Sequence, residues 1–97
     1  MKPANECASM AELREAIDTL DDELVRLLAQ RRDYIDRAVA LKRREDLPAR
    51  LEDRVTQVLE RVKARAAEAD LDPALAETLW THLVEWSIAR EERVLGE

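Results

Sequence analysis

Arg31 and Lys42 stand eleven residues apart in the stretch LLAQRRDYIDRAVALK (27–42), and Arg31 falls where the apolar stripe of a long helix should continue. Eleven residues is close to three helical turns, so both side chains leave one face about 16 Å apart and can lean toward one small ligand. Arg14 precedes Arg31 by about 25 Å of helix and cannot reach that ligand from its own chain. The Arg14 of a second, antiparallel chain could. Arg54, one turn into a following helix, would close such a pocket from the side. A guanidinium buried in an apolar stripe needs a counter-charge, and a dianionic ligand would supply one. Taken singly, each position reads equally as a solvated cation or one paired with a nearby carboxylate. Four together are harder to read that way.

These cations need rigid elements to hold them. SMAE offers Ser9 as N-cap with Glu12 three residues on, a capping box that opens a helix. Its stripe runs Leu13, Ile17, Leu20, Leu24, Leu27, Arg31, Ile35, Ala38, Leu41, with no Gly or Pro before Pro48. Steps of four and three predict a helix over 9–45, roughly 52 Å long, after an arm at 1–8. Pro48 breaks it. A second helix over 49–69 carries Leu51, Val55, Val58, Val62 and Ala66. A third over 73–95 starts with Asp72 as N-cap and Pro73 at the first helical position. Its expected packing face is Leu79, Leu83, Trp86 or Ser87, and Val94. The fold class is therefore all-α, with residues 1–97 as one helical domain. One chain cannot cover the far half of so long a stripe, which predicts an intertwined homodimer with the long helices antiparallel.

Composition narrows the chemistry. Apolar residues make up 46% and charged residues 39%, with one Gly, three Pro and no Phe, as in helices joined by few loops. A net charge of -6 and a pI near 4.9 argue against a broad nucleic-acid or anionic-membrane surface, so an anion must be caught by a local cationic cluster. No apolar segment approaches the roughly 20 residues of a bilayer span. Cys7 is the single cysteine and can form neither an internal disulfide nor a metal cluster; without an apolar leader, a cytoplasmic protein is expected. His82 has no Ser or Cys spaced to use it. Trp80 and Trp86 read as core and pocket wall, and ERVKARAAEAD as a solvated helix face.

Three segments together carry a resemblance. MAELREAIDTLDDELVRLLAQRRDYIDRAVALK (10–42), LPARLEDRV (47–55) and EWSIAREE (85–92) resemble the AroQ-type, all-helical chorismate mutases. The likeness is closest to the branch that contains the isochorismate pyruvate lyases of salicylate and siderophore pathways. It runs from about Cys7 to Glu92. What it implies is an intertwined helical dimer with two identical pockets and no metal or cofactor. Arg14 of one chain, with Arg31, Lys42 and Arg54 of the other, would match the cations that hold the two carboxylates and the ether oxygen of chorismate. Ser87 and Glu91, one turn apart, match the polar pair of the family's third helix. Two departures stand out: typical mutases have Gln where this chain has Glu91, and Glu where it has Val55. The second is shared with the lyase branch.

The reaction that the resemblance implies suits these residues. Converting chorismate to prephenate breaks a C–O bond while a C–C bond forms in one cyclic transition state, with no nucleophile or metal required. The three arginines would hold the carboxylates in the reactive conformer. Lys42 would stabilise charge growing on the ether oxygen. Glu91 would have to act as a neutral acid to donate the hydrogen bond that the family's Gln donates; alternatively it turns outward toward Arg90 or Arg93. Elimination of pyruvate from isochorismate, giving salicylate, uses the same cations. A helical dimerisation module without catalysis is the third reading, and a cation at Arg31 speaks against it.

Overall fold

The computed structural model describes residues 2–96. Among them are a 3-10 turn (Ala4–Glu6), three α-helices and no strand: α1 (Met10–Arg44), α2 (Glu52–Glu68) and α3 (Pro73–Leu95). The chain resolves into two compact units, Met1–Tyr34 and Ile35–Glu97. No helix among the described residues is long and apolar enough to cross a membrane.

In the first unit the start of α1 is fixed by its own side chains. The Glu12 N–H donates to Ser9 Oγ (3.2 Å), and the Glu12 carboxylate accepts from the Ala8 N–H (2.8 Å). The reciprocal bond of the capping box thus comes from Ala8 and not from Ser9 itself. Lys2 adds an ion pair at 3.3 Å. The Ala8 N–H, and secondarily Lys2, hold the Glu12 carboxyl below its ordinary value. That contribution to stability is present above the unfolded-state value and is lost as pH falls through the lowered one. Along the helix the stripe is left open: Ile17, Leu20, Leu24 and Leu27 are 47, 48, 56 and 48% exposed.

Both α1 and α2 end without glycine. Leu47 N–H bonds to Lys42 O (2.8 Å) and Asp46 N–H to Arg43 O (3.2 Å), with Asp46 at φ 58°. Leu71 N–H to Ala66 O and Asp70 N–H to Ala67 O repeat the pattern, with Asp70 also at φ 58°. These are Schellman ends in which Asp, which tolerates the left-handed region, takes the usual glycine position. The first of them terminates α1 two residues after Lys42. α2 then begins at Glu52, later than its apolar spacing predicts, because Leu51 is extended (φ -119°, ψ 99°). α3 starts as its signals predict: Asp72 accepts from the Ala74 N–H (2.9 Å), with Pro73 in the first turn.

The second unit is a helical hairpin, α2 against α3, joined to the last turns of α1. Ala66 on α2 and Ala76 on α3 are buried near its closed end, where Lys63 pairs with Glu77 (3.0 Å). The core at the other end is small: Ala49, Val84 and Ile88, flanked by Val55, Val58 and Leu95. α3 buries only part of the face its spacing predicts. Ser87 is buried, as one of the two residues expected at that point, whereas Leu79, Trp86 and Val94 are exposed and Ala76, Val84, Ile88 and Glu91 are buried. Leu83 is half-buried. Apolar residues occur nearly all round α3, so packing against Val55 and Val58 selects the face. Three charged contacts fasten the remaining pieces. Arg90 makes a two-pronged bond to Asp36 (2.6 and 3.1 Å), Arg50 another to Glu85 (3.0 and 2.6 Å), and Arg43 donates to Val94 O (3.2 Å).

Candidate active site

The rotation of α3 that buries Val84 and Ile88 also carries Ser87 and Glu91 inward. Ser87 is 4% and Glu91 3% exposed, the two buried polar side chains of the described residues. Burying a carboxylate is costly unless a cation or hydrogen-bond donors meet it. Here Lys42 meets it: its Nζ lies 2.8 Å from Glu91 Oε1, with 17% of the lysine side chain exposed. The same ammonium donates to Ala49 O at 2.7 Å. Its approach to Glu91 is off the hydrogen-bonding direction, so Oε1 is in ionic contact yet has no hydrogen-bond donor. The distance and the missing bond are compatible, because ion pairing depends on separation and hydrogen bonding also on angle. Glu91 therefore turns inward, and the outward pairing with Arg90 or Arg93 does not occur. Arg90 is engaged with Asp36 and lies over the Trp86 ring, 5.5 Å from its centroid.

Local structure explains why Lys42 arrives there. The Schellman end uses the lysine's carbonyl to stop α1, which fixes its backbone at the mouth of the turn. The chain then reverses through Pro48, and Ala49 packs into the core with its carbonyl facing back to Lys42. Arg50, tied to Glu85, holds the outer side of this turn. Ser87 donates to Leu83 O (2.8 Å), one turn before Glu91 on the same buried face. Val55 is half-buried in the adjoining core.

Of the residues singled out by sequence, the second unit thus joins Lys42 and Glu91 directly, with Ser87 one turn away and Val55 in the adjacent packing. Arg54 is exposed, and its guanidinium donates to Gln57 Oε1 (2.6 Å). Arg14, exposed, and Arg31, half-buried, belong to the first unit. The Ala49 carbonyl, Arg50–Glu85 and Arg90–Asp36 escaped sequence reading. A backbone acceptor leaves no side-chain signature, and the two ion pairs link residues 35 and 54 positions apart. Of the two tryptophans read as core and pocket wall, Trp80 is half-buried, and Trp86 is exposed in the single chain with Arg90 over its ring.

Residues 13–92 match the family model described as chorismate mutase type II. The chain is also 35% identical over 92 residues to an isochorismate pyruvate lyase of Pseudomonas aeruginosa, spanning 94% of this chain and 89% of that protein. With an all-helical frame, a family match over residues 13–92 and a 35% identical relative covered over most of both chains, the chain belongs to the type II chorismate mutase family of enzymes.

Proposed function

We propose that this enzyme rearranges chorismate to prephenate, in a cationic pocket completed by a second chain. The observation that carries the reading is the Lys42–Glu91 pair, an ammonium held at a defined point beside a buried carboxylate oxygen that lacks a hydrogen bond. In this proposal Lys42 faces the ether oxygen of the bound substrate and stabilises the negative charge that grows there as the C–O bond breaks. Glu91, after taking up a proton, donates to the same oxygen. Ser87 supports it from the preceding turn, and Val55 forms apolar wall. Arg31 and Arg54 of one chain, with the partner's Arg14, hold the two carboxylates so that the ends that must bond stay close, which removes most of the entropic barrier. Proton transfer is not part of the rearrangement itself, and no metal or cofactor enters it. The open stripe at Ile17, Leu20, Leu24 and Leu27 supports the homodimer, since a second α1 laid against it would cover those residues. With one cysteine and an acidic surface, the reading places the protein in the cytoplasm, acting on a small molecule and not on nucleic acid or membrane.

A second reading has its own support. The similarity to an isochorismate pyruvate lyase, together with Val55 where typical mutases have Glu, favours isochorismate as substrate, with salicylate and pyruvate as products. The same cations would serve, because both substrates are dicarboxylates with an enolpyruvyl ether. Incubating the purified protein with each substrate and following prephenate against salicylate tests both. Prephenate as the main product supports the mutase reading, salicylate replaces it with the lyase, and neither product refutes both.

A further inference from the structure

α2 carries a cationic stripe that the proposed pocket uses only at one end. Arg54, Arg61 and Arg65 fall at i, i+7 and i+11, within about 40° of one another around the helix. All are exposed, and with Gln57 and Ala64 they line an open groove of about 500 Å3. Arg54 is bonded to Gln57 and Arg65 to Glu68, whereas among the described residues Arg61 has no side-chain hydrogen bond or ion pair. Arg65 has Glu68 within its own helix, so Arg61 is the cation of this stripe that a second surface would have to match.

The chain itself contains one. On α1, Arg14, Asp18, Asp21 and Val25 succeed one another in steps of four, three and four along one flank of the open apolar stripe, with Asp22 beside them. Asp18, Asp21 and Asp22 are exposed and, among the described residues, make no ion pair. Their flank repeats the spacing of Arg54, Val58, Arg61 and Arg65 on α2. Direction also fits. The contacts Asp36–Arg90 and Arg43–Val94 ascend together, so α3 runs in the same sense as the end of α1. The α2–α3 hairpin then makes α2 run the opposite way, parallel to the α1 of an antiparallel partner. Placing the partner's Arg14 and Arg54 at one ligand sets an offset of forty residues between the two helices. That offset brings the partner's Asp21 opposite Arg61, and the partner's Asp22 between Arg61 and Arg65.

We propose that the Arg61–Arg65 stripe of α2 docks on the acidic flank Asp18, Asp21 and Asp22 of a second copy's α1, setting the dimer register that brings the partner's Arg14 to the site. The proposal rests on the shared-pocket reading above. In a two-fold dimer every such contact occurs twice, so a single substitution is felt at two places.

The test is a charge exchange. Dimer dissociation constants are measured by fluorescence-detected sedimentation for the native chain, Arg61→Glu, Asp21→Arg and the double variant, at about 50 mM and about 500 mM salt, where screening differs severalfold. Each single reversal is expected to weaken the dimer about tenfold at low salt, and the double variant to return within about threefold of the native value. High salt shrinks both effects. A double variant no tighter than the singles, or singles that leave the dimer unchanged, overturns the proposal. Arg61→Gln and Asp21→Asn introduce no repulsion and guard against misfolded reversals. Each should flatten the salt dependence of dimerisation, and an unaltered dependence also overturns the proposal. No substrate is needed, so the outcome is separable from the assignment of activity. A native dimer that converts neither chorismate nor isochorismate sinks the functional reading alone, and an active dimer indifferent to these substitutions sinks the docking alone.

Discussion

Replacing Glu91 by leucine strands the Lys42 ammonium in a site built for a pair. Removing one partner of a fully buried ion pair costs about 3–5 kcal/mol, because the survivor stays desolvated. Lys42 has some relief here: its side chain is 17% exposed and keeps the Ala49 carbonyl at 2.7 Å. The expected cost of Glu91→Leu is therefore about 2–3 kcal/mol. Lys42→Met strands the more deeply buried partner, Glu91, and is expected to cost about 3 kcal/mol or more. Putting both changes together replaces two charges by apolar side chains of similar volume, and the double variant should lie within about 1 kcal/mol of the native chain. The four proteins form a cycle whose coupling is then about 4–6 kcal/mol. Urea unfolding at one fixed chain concentration measures it, since the stability of the proposed dimer would change with concentration. A double variant whose loss equals the sum of the single losses would mean that the two groups do not interact. A cost below about 0.5 kcal/mol for Glu91→Leu would mean that its carboxylate lies in water and not in the core.

Four further outcomes follow from the same geometry and from the proposed function. Lys42→Ala is expected to lower kcat about 100- to 1000-fold with a much smaller change in KM, since its charge matters most when the ether oxygen becomes negative; an equal loss in ground-state binding would contradict that role. Inactive Arg14→Ala and Arg31→Ala chains, mixed and allowed to exchange, should regain activity, because each mixed dimer contains one pocket free of both lesions; heterodimers that form without activity would refute the shared pocket. Glu91→Gln should keep most of kcat/KM, because its amide can donate to the ether oxygen, whereas Glu91→Ala should lower it about 100-fold; equal losses in the two variants would remove Glu91 from the reaction. Asp70→Gly should raise stability by about 0.5–1 kcal/mol, read as a shift in the urea midpoint, because glycine occupies φ 58° without steric conflict.

Much of the local structure was legible in the residues themselves. Ser9 with Glu12, and Asp72 with Pro73, mark helix starts because capping is settled within a few residues of chain. The unbroken steps of four and three from Leu13 to Leu41 specify a long α1, since helical period is a property of spacing alone. The same spacing put Arg31 and Lys42 on one face, and the quoted segments carried the likeness to the family. The ends of α1 and α2 were harder to read, because Asp46 and Asp70 do the work usually assigned to glycine.

The packing of α3 lay beyond that logic. Its apolar residues surround the helix, so period does not choose a side, and the choice falls to contact with Ala49, Val55 and Val58. Burying Val84 and Ile88 carries Ser87 and Glu91 inward with them, and a buried Glu91 requires the Lys42 that α1 and its Schellman turn deliver to it. Sequence by itself determined which helices form and which cations they bear, because those depend on neighbours along the chain. Only tertiary structure decided that Glu91 faces inward and that the Ala49 carbonyl holds Lys42, because those depend on desolvation and distance between segments far apart in it.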